Sequence, residues 1–317
     1  MATWITGSAG FAGGHLAREL LGRGHDLFGI DRAGGRQQPA GVHGLDLELA
    51  DPEAVAEALG QTQPDAIFHL AAQSSAAASF TDPGGTLRTN IDATVGLLEG
   101  IRRWGRRPRL LSVGSCEEYG PPGPGELPLD EGQLLRPASP YAVSKAAQTL
   151  LCLHYRRTYG LPIVSTRSFT HTGPGQSDRF VFSSFARQIA EAERGGAGVL
   201  KVGNLEATRD VSDVRDIARA YADLVALDDP PELVNVCGGR ELKVRRGLEL
   251  LLAQAQVEIT VEQDPKRLRP SDVPRFVGDA TRLRAAIGWA PETPIESTLS
   301  DLLEWWRAQL QPNMDEE

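Results

Sequence analysis

The sequence predicts an α/β fold in which a doubly wound parallel sheet is joined to a smaller C-terminal α/β domain. Short apolar strands alternate with helices along the N-terminal part of the 317-residue chain, a pattern typical of parallel sheets. A glycine-rich turn joins the first strand to the first helix, and no internal repeat or long linker interrupts the alternation. We expect the larger domain to comprise residues 1–166 and about 210–240, and the smaller one about 167–209 and 241–317.

The first elements are predicted from short apolar runs and their boundaries. Trp4–Thr6 is a strand, the apolar spacing of His15–Leu21 indicates a helix, and Asp26–Ile30 is a second strand that ends in Asp31. Further strands are predicted at 42–45, 65–72 and 109–113, and further helices at 52–59, 86–104 and 139–159. Because parallel strands end at the same edge of a sheet, we expect a ligand site beyond their carboxyl ends.

Composition and charge exclude several classes of function. A hydrophobic fraction of 41% and a charged fraction of 24% are those of a soluble globular protein, and a net charge of -9 argues against a nucleic-acid partner. The three cysteines and six histidines lack the spacing of a disulfide framework or a metal site. With neither a signal peptide nor a long apolar run, we expect a cytoplasmic protein without membrane partner or metal. Any anionic ligand must be held by local cations.

The turn after the first strand has the glycine spacing of a phosphate-binding loop. Gly7 permits a tight turn, Gly10 lets the backbone approach a pyrophosphate, and Gly13 allows a helix to pack closely on the strand. The helix that follows presents free N–H groups and the positive end of its dipole to the phosphates. Strand, glycine turn, helix and second strand together predict a dinucleotide-binding Rossmann fold.

The remaining cofactor contacts are predicted from strand ends. Asp31 can accept hydrogen bonds from both ribose hydroxyls and repels a 2′-phosphate, which favours NAD(H), whereas Arg32 could accept a phosphate and leaves NADP(H) as the alternative. Small residues after the buried strand at 65–72 leave room for the dinucleotide. The predicted cofactor residues are Gly7, Gly10, Phe11, Ala12, Gly13, Asp31, Arg32, Asp46, Leu47, Leu70, Ala71, Ala72, Tyr141 and Lys145.

Tyr141 and Lys145 are four residues apart on a predicted helix and therefore share one face. A phenol titrates near pH 10, and an ammonium beside it lowers that pKa and makes proton exchange with a hydroxyl or carbonyl feasible. The spacing alone is a weak signal, because many helices carry an ordinary Tyr and Lys this far apart. Its value depends on Ser115, which follows the strand at 109–113.

The order of these motifs resembles the extended short-chain dehydrogenase/reductase superfamily over nearly the whole chain. The motifs are the glycine turn, His69-Leu70-Ala71-Ala72-Gln73, Gly114-Ser115, and Tyr141 with Lys145. The resemblance implies that Ser115 hydrogen-bonds the reacting oxygen, Tyr141 exchanges its proton, and Lys145 binds the nicotinamide ribose and lowers the pKa of Tyr141. Asn90 resembles an Asn that usually supports the structure there, and we include it among the substrate-side candidates.

Five stretches resemble the bacterial GDP-4-keto-6-deoxy-mannose reductases, which form GDP-rhamnose. They begin at Val113, Thr172, Val202, Asn235 and Leu268. The resemblance implies a GDP-sugar substrate whose diphosphate is clamped by Arg209 and Arg269, with Arg179 as a third cation and Asp272 on the nucleotide ribose. Guanidinium groups suit phosphate oxygens.

Two alternatives to the reductase stay open. Glu117, two residues after Ser115, is predicted to be catalytic and could supply the extra acid/base of a GDP-mannose 4,6-dehydratase, the nearest competitor; another NAD(P)-dependent nucleotide-sugar reductase or epimerase is the other. A cofactor-binding protein without activity would not need Ser115, Tyr141 and Lys145 together. Thr170 stands where the family commonly has Asn, which puts one substrate or cofactor contact in doubt.

The helix predicted at 139–159 carries apolar residues almost all round and should therefore be covered on every side. One face packs on the sheet, and the other could pair with the helix at 86–104 of a second subunit. A homodimer through a four-helix bundle is also what the resemblance implies.

Overall fold

The computed structural model describes residues 1–35, 37–268 and 273–311. Its strands are β1 Ala2–Thr6, β2 Asp26–Asp31, β3 Val42–Asp46, β4 Ala66–His69, β5 Arg109–Ser115, β6 Ile163–Ser168, β7 Thr170–Thr172, β8 Val199–Val202, β9 Thr208–Asp213, β10 Leu233–Val236, β11 Glu241–Lys243, β12 Thr260–Gln263 and β13 Arg275–Phe276. Its helices are α1 Phe11–Gly22, α2 Pro52–Thr62, α3 Ala76–Thr81, α4 Pro83–Trp104, α5 Pro140–Tyr159, α6 Val181–Glu193, α7 Val214–Ala226, α8 Val244–Leu252, α9 Thr281–Ile287 and α10 Ile295–Gln309. Two 3-10 turns, Cys116–Tyr119 and Pro265–Arg267, follow β5 and β12.

A seven-stranded parallel sheet forms the larger part of the molecule, in the order β10-β6-β5-β4-β1-β2-β3. The order reverses between β1 and β4, so a crevice opens there beyond the carboxyl ends of the strands. Alternate residues of one strand enter opposite cores: Ile5 packs with α1 and α7, and Trp4 packs with α2, α4 and α5. The predicted doubly wound α/β architecture is confirmed.

A smaller unit is built around β9. Strand β9 pairs with β7, β11 and β13, a separate pair joins β8 to β12, and helices α6, α8 and α10 bury a core of their own against these strands. Within the described ranges, no helix combines the length and the apolar character that crossing a membrane requires.

The observed domains differ from the predicted domain ranges at two places. Residues 210–213 belong to β9 in the small sheet and not to the large domain, because the return to the large sheet begins only at α7. Helix α9 falls within the range predicted for the small domain, but Leu283 on α9 and Trp289 just after it pack in the core of the large sheet with α7 and β10. Trp289 also donates a hydrogen bond from Nε1 to the carbonyl of Asp216 on α7, at 3.0 Å.

Several element boundaries also differ from the prediction. Helix α1 begins at Phe11 because the second half of the glycine turn is already helical, and β4 ends at His69, before the small residues that follow it. Helix α3 was not predicted. It is a short helix capped by Ser75, whose Oγ accepts the Ala78 N–H, and its run of small residues carries no clear periodicity.

Candidate active site

A cleft of about 1530 Å³ lies at the carboxyl edge of the large sheet. One wall carries the glycine turn, the ends of β2, β4 and β5, and the start of α5, whereas the opposite wall carries α6, β9 and the 3-10 turn Pro265–Arg267. Sites for one small molecule commonly measure about 300 to 1,000 Å³, so this cleft has room for more than one ligand.

The backbone of the glycine turn packs too closely against its neighbours to leave room for side chains at Gly7 and Gly13. Gly7 has a φ of +73°, and a Cβ there would lie 3.0 Å from the backbone of Ala71. A Cβ at Gly13 would lie 2.2 Å from the carbonyl oxygen of Gly7, so only glycine lets α1 approach β1 this closely. Gly10 caps α1 at the edge of the cleft. The predicted roles of Gly7 in the turn and Gly13 in helix packing fit this geometry.

Asp31 ends β2 with one oxygen satisfied by the protein. Its Oδ2 accepts hydrogen bonds from Ser8 Oγ at 2.8 Å, from Gln38 Nε2 at 2.8 Å and from the Ala9 N–H at 3.3 Å. No described residue donates to Oδ1, which leaves it available to a ribose hydroxyl. The cleft also contains Arg32, so both residues of the predicted NAD/NADP contrast line it.

The remaining predicted cofactor residues fall into two groups. The cleft is lined by Phe11, Ala12, Leu47, Leu70, Ala71, Ala72, Tyr141 and Lys145, together with the glycines and Asp31 and Arg32. Asp46 is exposed at the end of β3 and does not line the cleft, so the structure gives its predicted cofactor contact no support.

Ser115 and Tyr141 meet at the bottom of the cleft. Ser115 is the last residue of β5, its Oγ accepts the Glu117 N–H at 3.2 Å, and its hydroxyl contacts the Tyr141 phenol. Tyr141 lies in the first turn of α5, which Ser139 caps by accepting the Ala142 N–H. Burial and the nearby Glu117 carboxylate raise the pKa of Tyr141, against the smaller effect of the Ser115 hydrogen bond, so the phenol holds its proton at neutral pH.

The expected effect of Lys145 on Tyr141 is absent from this structure. Lys145 Nζ donates to the Val113 carbonyl at 2.8 Å and to Gln148 Oε1 at 2.9 Å, and its charge is not among those that shift the pKa of Tyr141. The prediction of a lowered phenol pKa is therefore wrong here, because burial and the Glu117 carboxylate disfavour the phenolate. Burial also lowers the pKa of Lys145 to about 8, opposed by the Glu118 carboxylate.

Glu117 and Cys116 follow Ser115 on the 3-10 turn and also line the cleft. Glu117 is half-buried and close enough to Tyr141 to raise its pKa, which places this predicted catalytic carboxylate beside the phenol. Burial raises the pKa of the Cys116 thiol, so it carries no charge at neutral pH.

Asn90 takes a supporting role in place of the predicted substrate contact. The residue is buried and does not line the cleft. Its Oδ1 accepts the Gln73 N–H at 2.8 Å, and its Nδ2 donates to the Gln73 carbonyl at 3.1 Å and to Ser144 Oγ at 2.8 Å. It therefore joins α4, α5 and the segment after β4, and its amide is fully used by protein partners.

Several cations line the substrate side of the cleft. Arg179 and Arg209 line it as predicted, and Arg209 Nη1 donates to the carbonyls of Thr208 and Val273 at 2.9 and 2.7 Å. The predicted contacts Arg269 and Asp272 lie outside the described residues. Lys266 and Arg267 also line the cleft and were missed, although they are adjacent basic residues just before Arg269. No group of three or more His, Cys, Asp or Glu in the described ranges is placed to hold a metal ion.

Similarity to known proteins agrees with this geometry. Residues 4–302 match the family described as GDP-mannose 4,6 dehydratase. The chain belongs to this family. The GDP-6-deoxy-D-mannose reductase of Pseudomonas aeruginosa is 36% identical to this chain over 308 residues, 97% of each chain. A GDP-mannose 4,6-dehydratase of Yersinia enterocolitica is 27% identical, over 94% of this chain and 92% of the relative.

Solved structures show the same fold. The structure of RMD from Pseudomonas aeruginosa complexed with NADPH has a TM-score of 0.84 and 35% identity, covering 98% of this chain and 99% of that one. The UDP-glucose 4-epimerase of Thermus thermophilus in complex with NAD has a TM-score of 0.86 and 30% identity, covering 97% and 99%. The predicted superfamily, the likeness to GDP-4-keto-6-deoxy-mannose reductases and the expectation of a nicotinamide-dependent enzyme are confirmed.

We expect the free energy of unfolding of Lys145→Met, compared with that of the wild type, to reveal the energetic cost of burying the Lys145 ammonium. Below about pH 8 the amine is charged in both folded and unfolded chains, so the cost is present in full. Between about pH 8 and the ordinary pKa of 10.5 the unfolded chain binds more protons, and the wild type gains stability relative to Lys145→Met.

Urea unfolding of both proteins from about pH 7 to about pH 10 measures that difference, in which the other titrating groups largely cancel. A stability difference that stays constant across this range contradicts the lowered pKa of Lys145.

Proposed function

We propose that this protein is an NAD(P)H-dependent reductase that converts the C4 ketone of GDP-4-keto-6-deoxy-D-mannose to the alcohol of GDP-D-rhamnose. The observation that carries the proposal is the contact between Ser115 and a Tyr141 that stays protonated, at the base of the cleft. A reductase must give a proton to the ketone oxygen, and the protonated Tyr141 phenol beside Ser115 in the cleft is a group that can give one. The full-length similarity to a GDP-6-deoxy-D-mannose reductase supports the choice of substrate.

The roles of the chain's own residues follow from their positions. Tyr141 gives its phenolic proton to the C4 oxygen, and the Ser115 hydroxyl, whose Oγ accepts the Glu117 N–H, donates a hydrogen bond to the same oxygen. Lys145 lines the cleft with two of its three N–H bonds committed to Val113 and Gln148, which leaves one donor for the nicotinamide ribose. A bound NAD(P)H supplies the hydride.

The substrate diphosphate is assigned to the cations of the opposite wall. Arg179, Arg209, Lys266 and Arg267 line that part of the cleft, and Arg269 and Asp272 are further candidates from the sequence. Because the chain carries a net charge of -9, attraction of a dianion depends on this local cluster.

A 4,6-dehydratase is the second candidate, and Glu117 is the observation that favours it. Elimination of water across C5 and C6 needs an additional acid/base group, and the Glu117 carboxylate lines the cleft beside Tyr141. Dehydratases are also among the relatives. The position of Glu117 does not by itself separate the two candidates, so a measurement of activity must distinguish them.

We expect the purified protein to consume NADH or NADPH when supplied with GDP-4-keto-6-deoxy-D-mannose. Tyr141→Phe should bind cofactor as the wild type does and lose turnover by roughly a hundredfold or more, because the phenolic proton is gone. Absorbance at 340 nm measures the rate, and cofactor fluorescence measures binding.

Three outcomes separate the candidates. Absence of cofactor oxidation with the ketosugar rules out the reductase, and loss of water from GDP-mannose with NAD⁺ or NADP⁺ establishes the dehydratase. Near-normal turnover by Tyr141→Phe contradicts the assigned proton donor under either activity.

For the cofactor we favour NAD(H) over NADP(H). The carboxylate of Asp31 is fixed by Ser8 and Gln38 at the end of β2, where its charge repels a 2′-phosphate. Arg32 is the group that could accept that phosphate instead. Solved relatives carry either NADPH or NAD, so the choice rests on these two side chains.

Replacing Asp31 by Ala should lower kcat/KM with NADH by roughly tenfold or more and change kcat/KM with NADPH less, because a hydrogen bond to a charged group contributes about 1.5–3 kcal/mol. Asp46→Ala is the matched control, since Asp46 ends the adjacent strand opposite Asp31 but lies outside the cleft. An equal loss of kcat/KM with NADH and with NADPH would contradict the role assigned to Asp31. The same change in kcat/KM in Asp46→Ala would contradict it as well.

We propose that the protein is a homodimer. We also propose that it is located in the cytoplasm. Val143, Leu150 and Tyr159 of α5 are 43%, 58% and 40% exposed, and α5 packs beside α4 as a four-helix interface requires. The three cysteines are free and buried, which suits a reducing compartment.

Sedimentation velocity should show a dimer at micromolar concentration and a monomer for Leu150→Glu, because a carboxylate would be buried in the interface. Leu134→Glu is the control, since Leu134 is 77% exposed in the loop before α5. A monomeric wild type, or dissociation by both variants, contradicts the interface on α5.

A further inference from the structure

Glu118 is a buried carboxylate that the reduction itself does not use. Its side chain has no exposed surface and does not line the cleft. Its Oε1 accepts hydrogen bonds from the Ser115 N–H at 2.9 Å and from Thr149 Oγ1 on α5 at 3.0 Å. Its Oε2 accepts from Arg167 Nε on β6 at 2.9 Å. One carboxylate thus joins the end of β5, the middle of α5 and β6.

The charge on this carboxylate is compensated by Arg167, which is also buried. The guanidinium lies 4.7 Å from the centre of the Tyr119 ring and donates to the Glu131 carbonyl at 3.3 Å. Buried ion pairs contribute little net stability compared with apolar residues of similar size, so stability alone does not account for this one. The pair does, however, fix the orientation of the Glu118 carboxylate, so that each of its two oxygens faces particular donors.

The contacts of Oε1 connect the two halves of the catalytic pair. Ser115 is bonded through its own backbone N–H, and Thr149 lies one helical turn beyond Lys145 and two beyond Tyr141 on the same face of α5. Gly114 leaves the space for this link, since a Cβ there would lie 2.5 Å from the Glu118 carboxylate and 3.1 Å from Thr149 Oγ1. The position of β5 against α5 therefore depends on the Glu118 carboxylate.

We propose that Glu118 is a positioning residue that holds Ser115 and α5 in the arrangement in which the Ser115 hydroxyl and the Tyr141 phenol reach the same oxygen. The inference rests on the proposed reductase activity, for which these two groups must converge on one atom. A misplacement of about 1 Å at a reacting centre can reduce a rate by about a hundredfold.

Two variants remove the link without leaving an unpaired buried charge. Glu118→Met combined with Arg167→Met replaces the ion pair with apolar side chains, and Thr149→Val removes only the bond to α5. We expect kcat to fall roughly ten- to a hundredfold in the double variant and roughly three- to tenfold in Thr149→Val, while KM and cofactor affinity change by less than about twofold.

Glu131→Gln is the matched control, because Glu131 is also a nearly buried carboxylate with an Arg partner and a backbone donor, namely Arg282 and the Asn235 N–H. Among the residues that the structure describes, the Glu131 side chain bonds neither to Ser115 nor to α5, so the kcat of Glu131→Gln should stay at the wild-type value even if its melting temperature falls. Wild-type kcat in the double variant, or an equal loss of kcat in the control, overturns the proposal; if the double variant fails to fold, an unchanged kcat in Thr149→Val does so.

Failure of the proposed function is recognised separately, because it appears in the wild type. If the wild type does not reduce the ketosugar, crystal structures of the wild type and of Thr149→Val still compare the distance from Ser115 Oγ to Tyr141 Oη. An increase in that distance supports the positioning role, and an unchanged distance overturns it.

Discussion

The buried pairing of Glu118 with Arg167 is the interaction on which the geometry of the cleft depends. Glu118 lies on the 3-10 turn three residues after Ser115, the last residue of β5, and Arg167 lies on the neighbouring strand β6. A carboxylate buried this deeply must be paired and fully hydrogen-bonded, and its donors here come from β5, β6 and α5. The requirement to satisfy one charge therefore sets how three elements meet.

Burial also decides the protonation states at the base of the cleft. A Tyr four residues before a Lys predicts a phenol whose pKa is lowered by the ammonium, yet here the pKa of Tyr141 is raised and that of Lys145 is lowered. Both shifts have burial as their largest cause, which disfavours the charged form of each group. The phenol therefore holds its proton at neutral pH, and the amine of Lys145 loses its proton more readily than an exposed lysine does.

Local features of the sequence predicted the cofactor side of the cleft well. The glycine spacing, Asp31 and the Ser115, Tyr141 and Lys145 motif depend on the backbone within a few residues, so they could be located from the chain alone. The supporting role of Asn90, the place of α9 beside α7 and the contribution of Lys266 depend on which distant segments meet. Spacing along one sequence carries no information about such contacts.

Hydrogen bonds of Asp210, the residue after Arg209, connect the small unit to the large sheet beside the cleft. The next residue on β9, Asp210, is buried and accepts backbone N–H bonds from Gly238 and Gly239 at 3.0 and 2.8 Å, and from Gly278 at 3.3 Å. Gly238 and Gly239 follow β10 of the large sheet, so these bonds tie the strand carrying Arg209 to the edge on which Ser115 lies. Burial raises the pKa of Asp210 to about 6, and the backbone donors partly oppose this shift. A chain with an overall negative charge can therefore present Arg209 at a fixed place in the cleft that also holds its proton donor, because the neighbouring Asp210 carboxylate anchors the strand that carries Arg209.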